Sequence, residues 1–272
     1  METQTPQFLS IGGVAIHHRV VGDPARQPAL VFANSLGTDF RIWNAVAQAF
    51  ANQFALVLYD KRGHGLSDSG SPPYAMDDHV DDLEGLLASL GVSRAVICGI
   101  SVGGLIAQGL YVRRPDLVRA LILCDTGHRI GDDKSWNARI EAVSQKGIAS
   151  IADQMLERWF TADYRAQQAT DLAGYRNMLT RTPVAGYAGT CAAIRDADFT
   201  DQAPAIAVPS LCLVGEEDGA TTPDLVSRLA DLIPGARYEV IAKAGHLPCI
   251  EQPRAVIDLM QDFLNTLPKD PP

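Results

Sequence analysis

No stretch of the sequence approaches the roughly 18 consecutive apolar residues that suggest a bilayer-spanning helix, so none is expected. Positive charge is in short supply: 23 Lys and Arg stand against 32 Asp and Glu, a formal net charge of −9. Holding a phosphate backbone takes a clustered excess of Lys and Arg, so a nucleic-acid partner is not expected either. Cysteine is sparse. The five present (Cys98, Cys124, Cys191, Cys212, Cys249) form no C-x-x-C pair and no metal-ligand spacing. Three of them, Cys98, Cys124 and Cys212, lie inside apolar runs where they act as small hydrophobes, which points to a reducing, cytoplasmic setting. The first residues, METQTPQFLSIGG, lack a basic segment followed by an apolar one, so no secretory leader is expected.

What is there is an ordinary globular composition, 47% hydrophobic and 20% charged over 272 residues. That length suits one α/β domain carrying an inserted subdomain, with a core large enough to need neither disulfide nor metal. Residues 8–11 and 14–21 flank Gly12-Gly13 and read as an antiparallel hairpin. Short, almost wholly apolar runs follow at 29–33, 55–59, 95–98, 120–124, 210–214 and 237–241. Such runs suit strands of a mostly parallel sheet with helices on both faces, where no polar face is left to alternate. Residues 77–90 begin with acids and stop at Gly91, as a capped helix does. A last helix from about 253 to 267 sets Val256, Leu259, Met260, Phe263 and Leu264 on one stripe. The Pro-rich stretch after Leu267 reads as a frayed tail. From 128 to 205 there are helical patterns but no convincing strand. The organisation expected is therefore an α/β core of residues 1–127 and 206–272, with a helical cap of residues 128–205 over the carboxyl edge of the sheet, where open α/β sheets bind ligands.

The densest chemical signal is Gly99-Ile100-Ser101-Val102-Gly103, directly after the strand at 95–98 and directly before a helical run at 104–113. A G-x-S-x-G turn between strand and helix is a nucleophile elbow: it lifts the serine hydroxyl clear of the sheet on a strained backbone, and the glycines leave room for it. Ser101 is thus the candidate nucleophile. A serine hydroxyl needs a base, and of the six histidines only His246, in Ala244-Gly245-His246, follows the last strand with a helix just beyond, where the order Ser…Asp…His places it. His17, His18 and His79 suit solvated or structural roles, and His64 reads as a structural loop residue. The base needs an orienting carboxylate. Asp218, at the end of Gly215-Glu216-Glu217-Asp218 after the penultimate strand, is favoured; Asp125, one strand earlier, is its rival. Glu216 and Glu217 read as exposed turn acids. Two backbone N–H groups should hold the developing oxyanion: Val102, after the nucleophile, and Leu36, in the loop Asn34-Ser35-Leu36-Gly37 after the strand at 29–33.

Together with Asp60-Lys61-Arg62-Gly63-His64-Gly65-Leu66-Ser67-Asp68, these motifs resemble the α/β-hydrolase superfamily along nearly the whole chain. Many relatives carry His-Gly at the positions of Asn34-Ser35, a departure that spares the backbone donor. More narrowly, Asn34 to Asp39 with Trp43, the segment Tyr59 to Gly65, Ser135-Trp136-Asn137-Ala138-Arg139-Ile140, and Gly186-Tyr187 through Ala192-Ala193-Ile194-Arg195-Asp196-Ala197-Asp198 are similar to the enol-lactonases that open 3-oxoadipate enol-lactone in the β-ketoadipate pathway of aromatic catabolism. The resemblance implies acyl transfer through Ser101, His246 and Asp218, with no metal or organic cofactor and a small anionic lactone as substrate. It also implies a cation for the substrate carboxylate among Arg129, Lys134, Arg139, Arg158 and Arg195, with Trp136 and Arg139 as the contacts offered. A general carboxylesterase or lactonase of the same fold, and a ligand-sensing protein with a hydrolase-like pocket, are the alternative readings. Dehalogenase and epoxide-hydrolase chemistry is disfavoured, because those relatives carry an aspartate where this chain has Ser101.

Overall fold

A computed structural model describes residues 7–268; the tail expected to fray beyond Leu267 lies, after Pro268, outside the described residues. Eight strands make one sheet: β1 (Gln7–Ile11), β2 (Val14–Val21), β3 (Ala29–Ala33), β4 (Ala55–Tyr59), β5 (Ala95–Ile100), β6 (Val118–Cys124), β7 (Ser210–Gly215) and β8 (Arg237–Ile241). Their order across the sheet is β1-β2-β4-β3-β5-β6-β7-β8. The β1–β2 and β2–β4 pairings are antiparallel and the others parallel. Gly12 and Gly13 both sit at positive φ, 56° and 85°, as a two-residue hairpin turn between β1 and β2 demands.

Every residue of β3, β4, β5 and β7 is buried, which is why these runs carry no polar alternation. The strand β8 differs. It was expected to be covered like the others, but it ends the sheet and pairs with β7 alone, so Val240 is 46% exposed and Arg237 reaches Glu239 at 3.1 Å. The connecting helices are α1 (Asn44–Phe50), α2 (Met76–Ser89) and α3 (Val102–Arg113). Between β6 and β7 come α4 (Asp133–Lys146), α5 (Ala152–Trp159), α6 (Ala162–Gln167), α7 (Ala169–Thr180) and α8 (Val184–Asp196), with no strand among the described residues there. The chain closes with α9 (Pro223–Leu232), α10 (Pro248–Glu251) and α11 (Pro253–Thr266). Val256, Met260, Phe263 and Leu264 of α11 are buried, with Leu259 at the margin of the stripe. No helix among the described residues is long and apolar enough to cross a membrane.

The segment after β4 is a structural hub. Asp60 accepts the Phe40 and Leu66 N–H groups at 2.9 and 3.0 Å and lies 2.7 Å from His17 Nδ1. Arg62 forks onto Asp82 of α2 at 2.6 and 2.8 Å, the bidentate geometry a guanidinium favours. His64 is fully buried beside this fork, its Nδ1 3.2 Å from the Arg62 carbonyl. His17, His18 and His79 are buried as well, so their roles are structural and not solvated. Burial, with the nearby charges of Lys61 and Arg62, pushes His79 down to about 3, and it meets Tyr74 edge-on. The α4–α8 segment closes onto the loop after β3, where Leu179, Tyr187 and Trp159 crowd Gly37.

Candidate active site

The nucleophile candidate stands on the turn its glycines permit. Ser101 has φ 59° and ψ −121°, between the last residue of β5 and the first of α3. A non-glycine residue at positive φ is strained, and such strain persists only where the surroundings enforce it. Here they do: the Ser101 N–H donates to the Cys124 carbonyl at 3.0 Å. A Cβ on Gly99 would stand 2.2 Å from the Gly103 carbonyl oxygen, and one on Gly103 2.3 Å from the Ala33 oxygen. Neither position admits a side chain, so glycine on each side is a requirement of packing.

Asp218 and His246 meet at the carboxyl ends of β7 and β8. Asp218 Oδ2 accepts from His246 Nδ1 at 2.8 Å and from Thr221 Oγ1 at 2.6 Å. Its Oδ1 takes the Ala220 and Thr221 N–H groups at 2.7 and 3.0 Å. Burial alone would raise the Asp218 carboxyl, but His246 and these donors outweigh it and hold it below the usual carboxylate range. With Nδ1 so engaged, Nε2 is the free imidazole nitrogen, 3.4 Å from Ser35 Oγ.

The rival acid, Asp125, is fully buried at φ 44°. Its Oδ1 accepts the Gly215 N–H at 2.9 Å, while Oδ2 has no hydrogen-bond partner. Burial first, then the Asp218 charge, raises its affinity for the proton well above that of an ordinary carboxyl. Asp125, Asp218 and His246 offer donor atoms within 4.8 Å of one another. A metal would need these ligands deprotonated and free; here His246 Nδ1 and Asp218 Oδ2 bind each other at 2.8 Å.

Ser101, His246, Thr221, Ser35 and Leu36 line a cavity of about 390 Å³. Neither the Leu36 N–H nor the Val102 N–H donates to a group among the described residues, so both are available to an oxyanion. The far wall comes from the α4–α8 segment: Trp136, Arg139, Met155, Arg158, Trp159 and Tyr187. The Trp136 indole N–H is fixed on the Ile130 carbonyl at 2.6 Å, and the Arg139 guanidinium lies over its ring, 4.7 Å from the centroid. Neither Arg139 nor Arg158 reaches a carboxylate within 4 Å among the described residues. Burial, and then repulsion from Arg139, lowers Arg158. The other cations considered lie elsewhere: Arg129 pairs with Asp133 and Asp198, Arg195 with Asp196, and Lys134 is exposed.

Of the seven residues expected in the site, Leu36, Ser101, Trp136, Arg139 and His246 line the cavity, while Asp218 adjoins it through His246 and Val102 follows Ser101; Glu216 and Glu217 are exposed as expected. Sequence reasoning passed over Thr221, Ser35 and the importance of Arg158. The Asp218-Gly219-Ala220-Thr221 spacing, in which an aspartate turns back onto following N–H groups, is a signal that would have found Thr221. Nothing in the local pattern separates Arg158 from the solvated arginines of neighbouring helices.

The fold and site together define a class. A family model described as the alpha/beta hydrolase fold matches residues 28–253, and the chain belongs to that family of hydrolases. A 3-oxoadipate enol-lactonase of Acinetobacter baylyi is 33% identical over 247 residues, 91% of this chain and 92% of the relative. The crystal structure of the enol-lactonase from Burkholderia xenovorans superposes with a TM-score of 0.92 at 37% identity, covering 95% of this chain and all of that one. A thermophilic esterase from Thermogutta terrifontis superposes with a TM-score of 0.90 at 26% identity, covering 97% of this chain and 99% of that one.

Proposed function

We propose that the protein hydrolyses 3-oxoadipate enol-lactone to 3-oxoadipate, a step of the β-ketoadipate pathway, using Ser101, His246 and Asp218, with the helical segment 128–205 as a cap over the core formed by 1–127 and 206–272. Ser101 Oγ passes its proton to His246 Nε2 and attacks the lactone carbonyl carbon. The Leu36 and Val102 N–H groups take up the charge on the oxygen, and Asp218 steadies the imidazolium. The ring C–O bond then breaks as His246 Nε2 passes the serine's proton to the departing enolate oxygen, leaving an enol and an acyl group on Ser101, with His246 neutral again. Water, giving a proton to His246, cleaves the acyl-enzyme and restores the serine. The freed enol tautomerises to the ketone. One water is consumed, and the residues named supply every proton transfer.

The observation that carries the substrate class is the pair Arg139 and Arg158, two cations on the cavity wall with no carboxylate within 4 Å among the described residues. The enol-lactone carries a free carboxylate, and a charge-assisted hydrogen bond in a partly desolvated cavity suits it. The net charge of −9 opposes an anion only weakly, because salt screens it beyond about 10 Å. The Ser–His assignment is tested with a fluorophosphonate probe. Covalent labelling at Ser101 that disappears in Ser101→Ala is expected; an unlabelled wild-type protein would leave a binding protein as the better reading.

A further inference from the structure

The Lys61 side chain, one of the largest fully buried in the molecule, takes no part in the chemistry above. It is 1% exposed and reaches no carboxylate within 4 Å among the described residues. Its ammonium instead donates to two backbone carbonyls of the loop after β3: Ser35 at 2.6 Å and Thr38 at 3.3 Å. The Ser35 carbonyl also accepts the Thr38 hydroxyl at 2.9 Å and the Thr38 N–H at 3.3 Å. That carbonyl and the Leu36 N–H are opposite ends of one peptide group. The bond is trans, the only cis peptide among the described residues being Pro72-Pro73, so the two ends point in opposite directions.

We propose that Lys61 is a positioning residue for the oxyanion donor: by gripping the Ser35 carbonyl, its ammonium fixes the Leu36 N–H toward the cavity and polarises it into a stronger donor. Three donors on one carbonyl leave the peptide plane little freedom to rotate, so the N–H is aimed before substrate arrives. A cation on the oxygen draws electron density from the amide nitrogen, and hydrogen bonds in series strengthen one another. Preorganised donors act where charge develops, so the effect belongs to the transition state and hence to kcat. The inference rests on the oxyanion role proposed for Leu36.

The charge on Lys61 is held in balance. Burial lowers its affinity for the proton to about 7, against the opposing pull of Asp60 and Asp39. His64, in the same loop, and His79, on α2, also face it and are kept neutral by burial and by the lysine. Above that value the ammonium loses its proton and its polarising charge, and the Leu36 N–H weakens. Ser101 reactivity should therefore fall on the alkaline side.

The test is the rate at which a fluorophosphonate labels Ser101, measured from pH 6 to 9 in the wild type and in Lys61→Met, beside steady-state kcat and KM. The expected result is a wild-type rate that declines above about pH 7, and a Lys61→Met rate roughly 10- to 100-fold lower with no such decline; kcat should fall with KM little changed. A wild-type rate that stays flat to pH 9, or a folded Lys61→Met protein that labels at the wild-type rate, overturns the inference. Should the variant not fold, the wild-type profile decides. Absence of wild-type labelling at every pH is a different failure, that of Ser101 as nucleophile.

Discussion

Removing the cavity arginines one at a time separates recognition of the substrate's charge from the acyl-transfer chemistry. Arg139→Ala and Arg158→Ala each delete a cation that faces the cavity and that pairs with no carboxylate among the described residues, so neither leaves a buried anion stranded. A hydrogen bond to a charged group contributes about 1.5–3 kcal/mol, so either loss should lower kcat/KM on an anionic lactone roughly 10- to 150-fold. A neutral p-nitrophenyl ester makes no use of the cation and should change less than about threefold. Arg139→Ala also removes the guanidinium from the face of Trp136, a contact worth about 0.5–1 kcal/mol, so a small fall in melting temperature is expected with it. Because the two cations lie close enough to repel, the double variant should lose less than the product of the single losses. The assay is steady-state hydrolysis of both substrates by all four proteins. Equal losses on lactone and ester would refute the reasoning, since a purely structural arginine harms every substrate alike.

Asp218→Asn should preserve the fold and cut kcat by about ten-thousandfold, because an amide at this position disfavours the Nδ1–H tautomer of His246; circular dichroism and kcat check both halves. Asp125→Asn tests the buried carboxyl beside it. The folded-state affinity of Asp125 for its proton is raised, so its contribution is full below the unfolded value of 3.8 and is lost as pH rises through the folded value. The asparagine variant should therefore gain little at pH 4 and become progressively more stable than wild type as pH rises, with activity retained; a denaturant-melt difference that shrinks with pH contradicts this. Gly103→Ala would place a Cβ 2.3 Å from the Ala33 carbonyl oxygen, and should cost about 1–3 kcal/mol in thermal unfolding and slow Ser101 labelling.

The sheet was legible because its strands are buried on both faces: an unbroken run such as 29–33 or 55–59 has no other use in a domain with this spacing of helices. Strand β8 was less so, since its place at the edge comes from the order of strands, which no local pattern encodes. Ser101, Asp218 and His246 could be put forward together because the chemistry sought fixes both residue type and position after a strand, and Asp218 and His246 do meet at 2.8 Å. The histidines were harder. For His17 and His79 the sequence left solvated and structural roles both open, because the groups that meet them, Asp60 43 residues from His17 and Tyr74 ahead of α2, lie outside any helical repeat. Lys61 hides for the same reason: its carbonyl partners belong to another strand's loop. Arg158 of α5 differs from Arg195 of α8 in which helix face turns to the cavity, and that is set by the packing of the whole α4–α8 segment.

The central claim, that this hydrolase is built for an anionic enol-lactone, is tested most directly by kcat/KM of the purified protein on 3-oxoadipate enol-lactone beside a neutral p-nitrophenyl ester. The account predicts a preference for the lactone of about a thousandfold, roughly 4 kcal/mol of transition-state discrimination. Equal values, or a preference for the ester, would contradict it and leave a serine hydrolase of broader substrate range.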